Sequence, residues 1–214
     1  MIETASGLIL RTRPLTETSL IVHWLTPQPG RLATVAKGAR RPQSPFRGKL
    51  DLFYEADFTF VRSRRSDLHT LREVGLRDTH AAIRQDLAYL QQASYGAALI
   101  EQSTETDTPL PAIFELMQGF LHVLPRQSPQ PHLVLALEIK LLHELGLEPD
   151  LSDRRLTPGS TELLKAFSAS DWEPILRIKP TAAQLTELRQ FLHGFLIYHL
   201  GKLPANRATL FTGV

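Results

Sequence analysis

The segment Gly30-Arg31-Leu32-Ala33-Thr34-Val35-Ala36-Lys37-Gly38-Ala39-Arg40-Arg41 has the clearest chemical capacity in this chain. From Arg31 to Lys49 the cations Arg31, Lys37, Arg40, Arg41, Arg47 and Lys49 occur without a single acid. Strand alternation sets Arg31, Ala33, Val35 and Lys37 on one face. Gly38, lacking a Cβ, then permits a turn that presents Arg40 and Arg41 at a sheet rim. Such a rim attracts phosphate, and nearby rings give bases a surface to stack on, worth ~1–3 kcal/mol per base. Phe46, Phe53 and Tyr54 lie close to the run. Phe53 reads more readily as a core ring, whereas Phe46, between Pro45 and Arg47, reads equally well as a loop ring or a core ring. A charge run of this kind also reads as nothing more than a solvated loop.

Catalytic patterns fail on their residues. His143-Glu144 begins a zincin-like motif, but Leu147 stands where the second imidazole would have to be. Gly48-Lys49 imitates the end of a phosphate loop, yet Gln43 replaces its first glycine and Leu50 its Mg²⁺-binding hydroxyl. No G-x-S-x-G elbow occurs, and the eight histidines are scattered. The absence of cysteine removes thiolate nucleophiles, disulfides and Cys-ligated zinc. A non-enzymatic protein with no cofactor and no metal is expected.

With 214 residues, 43% of them hydrophobic, the chain can bury a substantial core. A mean hydropathy of -0.12 and apolar stretches that are short and interrupted, Leu133–Leu142 and Phe191–Leu200, argue against a membrane span. The amino terminus lacks a secretory pattern, so a cytoplasmic, nucleoid-associated location is expected. Net charge is only +2, but its distribution is uneven. Residues 1–75 carry 12 Lys/Arg against 7 Asp/Glu, and the remainder 12 against 15. The two parts therefore differ in sign.

The elements that would position the basic run follow from pattern. Short β-branched and aromatic runs alternate with breakers, predicting strands near Gly7–Thr12, Ser19–Thr26, Arg31–Ala36, Phe53–Val61 and Leu68–Glu73. Pro27-Gln28-Pro29-Gly30 should form a hairpin turn. Five strands in so short a stretch suggest a small antiparallel barrel of OB type, with an SH3-like barrel as the alternative. Helical spacing then predicts helices over His80–Gln102, Pro111–Leu124, His132–Leu145, Ser160–Ser168 and Thr181–Leu200. The expected fold is α+β: an OB-type nucleic-acid-binding domain over 1–77 and an all-α domain over 78–214.

Glu17-Thr18-Ser19-Leu20, Leu25-Thr26, Gly30-Arg31, Val35-Ala36-Lys37-Gly38-Ala39-Arg40, Ser44, Arg47-Gly48, Leu50 and Phe53 together resemble the amino-terminal OB domain of the RecO family of bacterial DNA repair and recombination mediators. Ala136-Leu137-Glu138-Ile139-Lys140-Leu141-Leu142-His143-Glu144-Leu145-Gly146 and Asn206-Arg207-Ala208 extend the resemblance into the helical part. The resemblance implies binding of single- and double-stranded DNA, annealing of complementary strands, and contact with the C-terminal tail of the single-strand-binding protein SSB. It also implies cooperation with RecR in placing RecA on SSB-coated strands.

Arg31, Lys37 and Arg40 sit in the matching motif and carry the DNA role over directly; Arg41, Arg47 and Lys49 extend it on electrostatic grounds. Some relatives hold a four-cysteine zinc module, which a chain without cysteine cannot form. Lys140, a cation beside apolar residues, is a candidate for the SSB tail, and reads equally as an exposed lysine. Two other readings stand beside this one: a generic OB-fold nucleic-acid-binding protein, and a scaffold that binds only protein.

Overall fold

The computed structural model describes residues 1–150 and 155–211; Ser152, Asp153 and Arg154 of the mixed stretch after Gly146 lie outside the described residues. Two compact units are present, Met1–Ala81 with Thr104–Glu115, and Ala82–Ser103 with Leu116–Val214.

In the first unit β1 (Ile2–Pro14), β2 (Leu20–Leu25), β3 (Arg31–Ala36), β4 (Glu55–Val61) and β5 (Leu68–Asp78) close into a barrel in the order β1-β2-β3-β5-β4. The five-stranded barrel is as expected, but the sheet is mixed rather than antiparallel. β3 and β5 run parallel, pairing Ala33 with Leu68 and Val35 with Thr70. Parity requires this: a ring with an odd number of strands cannot alternate direction all the way round. β1 is long because it serves two neighbours, Ile2 to Leu8 pairing with β4 and Leu8 to Pro14 with β2.

The barrel interior contains Ile9, Val22, Trp24, Leu32, Ala36, Phe58, Phe60 and Leu71. Trp24 stacks on Phe58 with centroids 4.0 Å apart, and its indole N–H donates to the Thr34 hydroxyl at 2.9 Å, so the ring's one polar atom is satisfied in the core. Phe53 is buried as expected, at a left-handed backbone position (φ 63°) held by the hydrogen bond its N–H donates to the Ile9 carbonyl, 2.8 Å.

The second unit is helical. Among the described residues the chain has six α-helices: α1 (Leu87–Ser103), α2 (Pro111–Val123), α3 (Pro131–Glu144), α4 (Pro158–Ala169), α5 (Trp172–Arg177) and α6 (Ala182–Leu200). The predicted helix from His80 is instead a 3₁₀ turn, Ala81–Gln85, followed by α1. Asp86 makes the break, its carboxylate accepting the Ala88 amide at 2.8 Å as a helix cap. α3 is apolar around almost its whole circumference and is the centre of the unit, packed by α1, α4, α5 and α6. No described helix is long and apolar enough to cross a membrane.

Candidate nucleic-acid interface

The basic run leaves β3 at Ala36 and does not re-enter regular structure until β4. Between them it is wound into successive turns. The Ala39 amide donates to Ala36, Arg41 to Gly38, Ser44 to Arg41, Arg47 to Ser44 and Lys49 to Phe46, all at 3.0–3.3 Å. Gly38 (φ 68°) and Gly48 (φ 72°) supply the left-handed positions at either end. The loop is stitched to the β1–β2 turn by the Arg40 amide on the Thr18 carbonyl, 2.9 Å, and anchored to the barrel by the Phe46 ring.

A cup of about 430 Å³ opens on this loop, lined by Leu20, Ala39, Arg40, Arg41, Pro42, Phe46, Arg47, Gly48 and Leu50. Arg40, Arg41 and Arg47 line it and are exposed; Lys37, also exposed, lies two residues before Ala39, and half-buried Lys49 stands between Gly48 and Leu50. Among the described residues none of the five forms an ion pair. Arg40 donates one bond to the Thr16 carbonyl at 3.3 Å and Arg47 one to the Pro42 carbonyl at 3.4 Å, leaving most of each guanidinium's five N–H donors available.

Two sequence-predicted residues lie elsewhere or are used otherwise. Arg31 shares a β3 face with Lys37, as alternation requires, but sits about 20 Å away at the other end of the strand. Its guanidinium is committed to Thr104, through Nε to the hydroxyl at 2.7 Å and through Nη2 to the carbonyl. It tethers residues 104–107 and is not part of the rim. Phe46 is only 6% exposed and belongs to the barrel core. It is among the residues that line the cup, and at that burial it offers no open face for stacking. Conversely, sequence reasoning missed Leu20, Ala39 and Leu50 as lining residues; the signal was Ala39 interrupting and Leu50 ending an otherwise polar, turn-rich run, while Leu20 comes from β2 and carried none.

At the end where Arg31 lies, Arg62 grips Glu3 through Nε and Nη2 (2.8–3.1 Å) and Asp107 through Nη1 (2.7 Å). These bonds hold the Glu3 carboxyl below its usual range and raise the Arg62 pKa further. His69, stacked on Phe60 at 5.4 Å, is held low by burial and then by Arg62.

Residues 1–80 match the family model "Recombination protein O N terminal" and residues 84–154 match "Recombination protein O C terminal". The DNA repair protein RecO of Exiguobacterium sibiricum is 29% identical over 208 residues, spanning 95% of this chain and 82% of that protein. RecO of Bacillus pumilus is 28% identical over 98% of this chain and 84% of its own. That of Rhodopirellula baltica is 31% identical over 67% and 53%. The chain belongs to the RecO family.

In the helical unit of this RecO-family chain, Lys140 does not extend into solvent. Its ammonium donates to the Ser170 carbonyl at 2.6 Å and the Ser168 carbonyl at 3.2 Å, and lies 5.7 Å from the Trp172 ring centre. It closes the C-terminal end of α4, and burial lowers its pKa. The neighbouring Glu138 is fully buried. Arg207 donates to its carboxylate from Nε (2.6 Å) and Nη2 (2.8 Å), and the Tyr95 hydroxyl donates to it too. Burial, and then the Glu138 charge, push the Tyr95 phenol far above its ordinary range. A second cavity of about 520 Å³ follows α6, lined by Arg189, His193, Ile197, Leu203 and Phe211 among others.

Proposed function

We propose that this RecO-family protein acts in DNA repair and recombination as a non-catalytic mediator. It binds single- and double-stranded DNA through the basic loop, anneals complementary strands and, with RecR, helps place RecA on SSB-coated single strands. The carrying observation is the set Lys37, Arg40, Arg41, Arg47 and Lys49, which has no acid partner among the described residues and is grouped on one loop of successive hydrogen-bonded turns after β3. Cations in this state exchange their counterions for phosphates, and neutralising two strands together lowers the repulsion that opposes annealing.

The test is anisotropy titration of labelled single-stranded DNA at several salt concentrations. Replacing Lys37, Arg40, Arg41 and Arg47 together by Ala should lower the slope of log affinity against log salt by about 3, at ~0.7 per contact. An unchanged slope would move these cations from DNA to a protein partner such as RecR.

For the SSB tail, acidic and ending in a hydrophobic residue, Lys140 is committed to α4. The cavity along α6 supports the tail better, since it combines apolar walls with Arg189 and His193. Binding of a labelled tail peptide that survives Arg189→Glu unchanged would discard that location.

A further inference from the structure

A phosphate-binding surface needs only exposed charge, yet the basic loop borders an open hollow. Its wall chemistry is divided. Its lining residues are of two kinds, the cations Arg40, Arg41 and Arg47 and the apolar Leu20, Ala39, Leu50 and Phe46. At about 430 Å³ it lies within the ~300–1,000 Å³ range of small-ligand sites. The turn ladder and the buried Phe46 ring fix this shape through the protein's own contacts, so little ordering remains for binding to accomplish.

We propose that the cup receives one unstacked nucleotide of a single strand. Its phosphates are met by the three guanidinium groups and its base lies against Leu20, Ala39 and Leu50. The inference rests on the DNA-binding reading above and specifies the unit that is recognised. A nucleotide has the same division as the cup, an anion joined to a flat, weakly polar ring. An acidic peptide supplies carboxylates that match the cations, but no ring is tied to each charge. A base within a duplex is stacked on both faces and paired along one edge, so entering the cup requires that it first be extruded from the stack. The cup therefore favours unpaired bases, while nucleotides on either side remain outside it.

The experiment uses the full chain and an oligonucleotide carrying one 2-aminopurine, whose fluorescence is quenched by stacking. Binding should raise the fluorescence and shield part of it from acrylamide. Ala39→Phe fills the cup and keeps every cation. It should abolish the rise and weaken binding about tenfold, with the salt slope unchanged. Leu50→Trp, grown from a half-buried position, serves as a second filling variant in case Ala39→Phe fails to fold, and should act alike.

Salt-dependent binding with no fluorescence change in the native protein would overturn the cup while leaving DNA binding intact. So would a rise that persists in folded filling variants. Absence of DNA binding at low salt would instead overturn the reading on which the cup rests, and direct binding of a labelled acidic peptide, lost in Ala39→Phe, would in that case assign the cup to protein.

Discussion

A Cβ placed on Gly30 would stand 1.8 Å from the carbonyl oxygen of Thr108. The glycine also has φ 75°, so both backbone conformation and close approach exclude a side chain. Gly30→Ala should therefore cost more than the ~1–3 kcal/mol of an ordinary left-handed position. The segment from Thr104 to Leu110 should loosen first. Denaturant titration and faster amide exchange at Asp107 and Leu110, which bond the Arg31 and Pro27 carbonyls, would register it.

Arg31 and Lys37 should separate experimentally. Arg31→Ala removes the tether to Thr104 and lowers stability by about 1–2 kcal/mol, while the salt slope of DNA binding stays as in the parent. Lys37→Ala should do the reverse, lowering the slope by ~0.7 with melting temperature unchanged. A slope change in the Arg31 variant would contradict the assignment of its guanidinium.

The buried pair in the helical unit makes a different prediction. Arg207→Met leaves the Glu138 carboxylate buried without its cation, with an expected cost of ~3–5 kcal/mol. Combining it with Glu138→Leu removes both charges and should recover much of that loss. Chemical denaturation of the two variants would decide between ion pairing and simple packing as the role of Arg207.

Acid should weaken the barrel in a defined window. His23 has its pKa pushed down to about 4, by burial first and then by Arg11, Arg13 and Arg31. Between 6.5 and 4 the unfolded chain therefore binds more protons, and stability falls as pH is lowered through that range. His23→Gln should flatten this part of the melting-temperature profile. Below it, Glu3, lowered by its bonds to Arg62, loses its contribution as it protonates.

Lys140→Met should shorten α4 from its C-terminal end, because two carbonyl groups lose their donor. The expected loss is about 1–2 kcal/mol. Binding of an SSB-tail peptide should be unaffected.

Periodicity revealed most of the elements because alternation and three-to-four spacing are set by burial on one side. Leu32, Thr34 and Ala36 are buried while Arg31, Ala33, Val35 and Lys37 are not, as the sequence pattern predicts. What it could not convey was position along a strand. Arg31 and Lys37 share a face, and only closure of the barrel and the return of Thr104 determine that one is spent and the other open. Phe46 was ambiguous for a similar reason: a ring between Pro45 and Arg47 looks exposed until the loop folds back over Leu20 and Leu50. The parallel β3–β5 pair is likewise a property of ring closure, invisible in any single strand.

Because Thr104–Glu115 belongs to the barrel unit while Ala82–Ser103 does not, the barrel is not finished when its fifth strand leaves the ribosome. Until the chain has been synthesised past Glu115, Arg31 and Arg62 lack Thr104 and Asp107. A nascent chain halted near residue 80 should thus display a barrel whose strands are paired but whose Arg31 end stays open to exchange and protease.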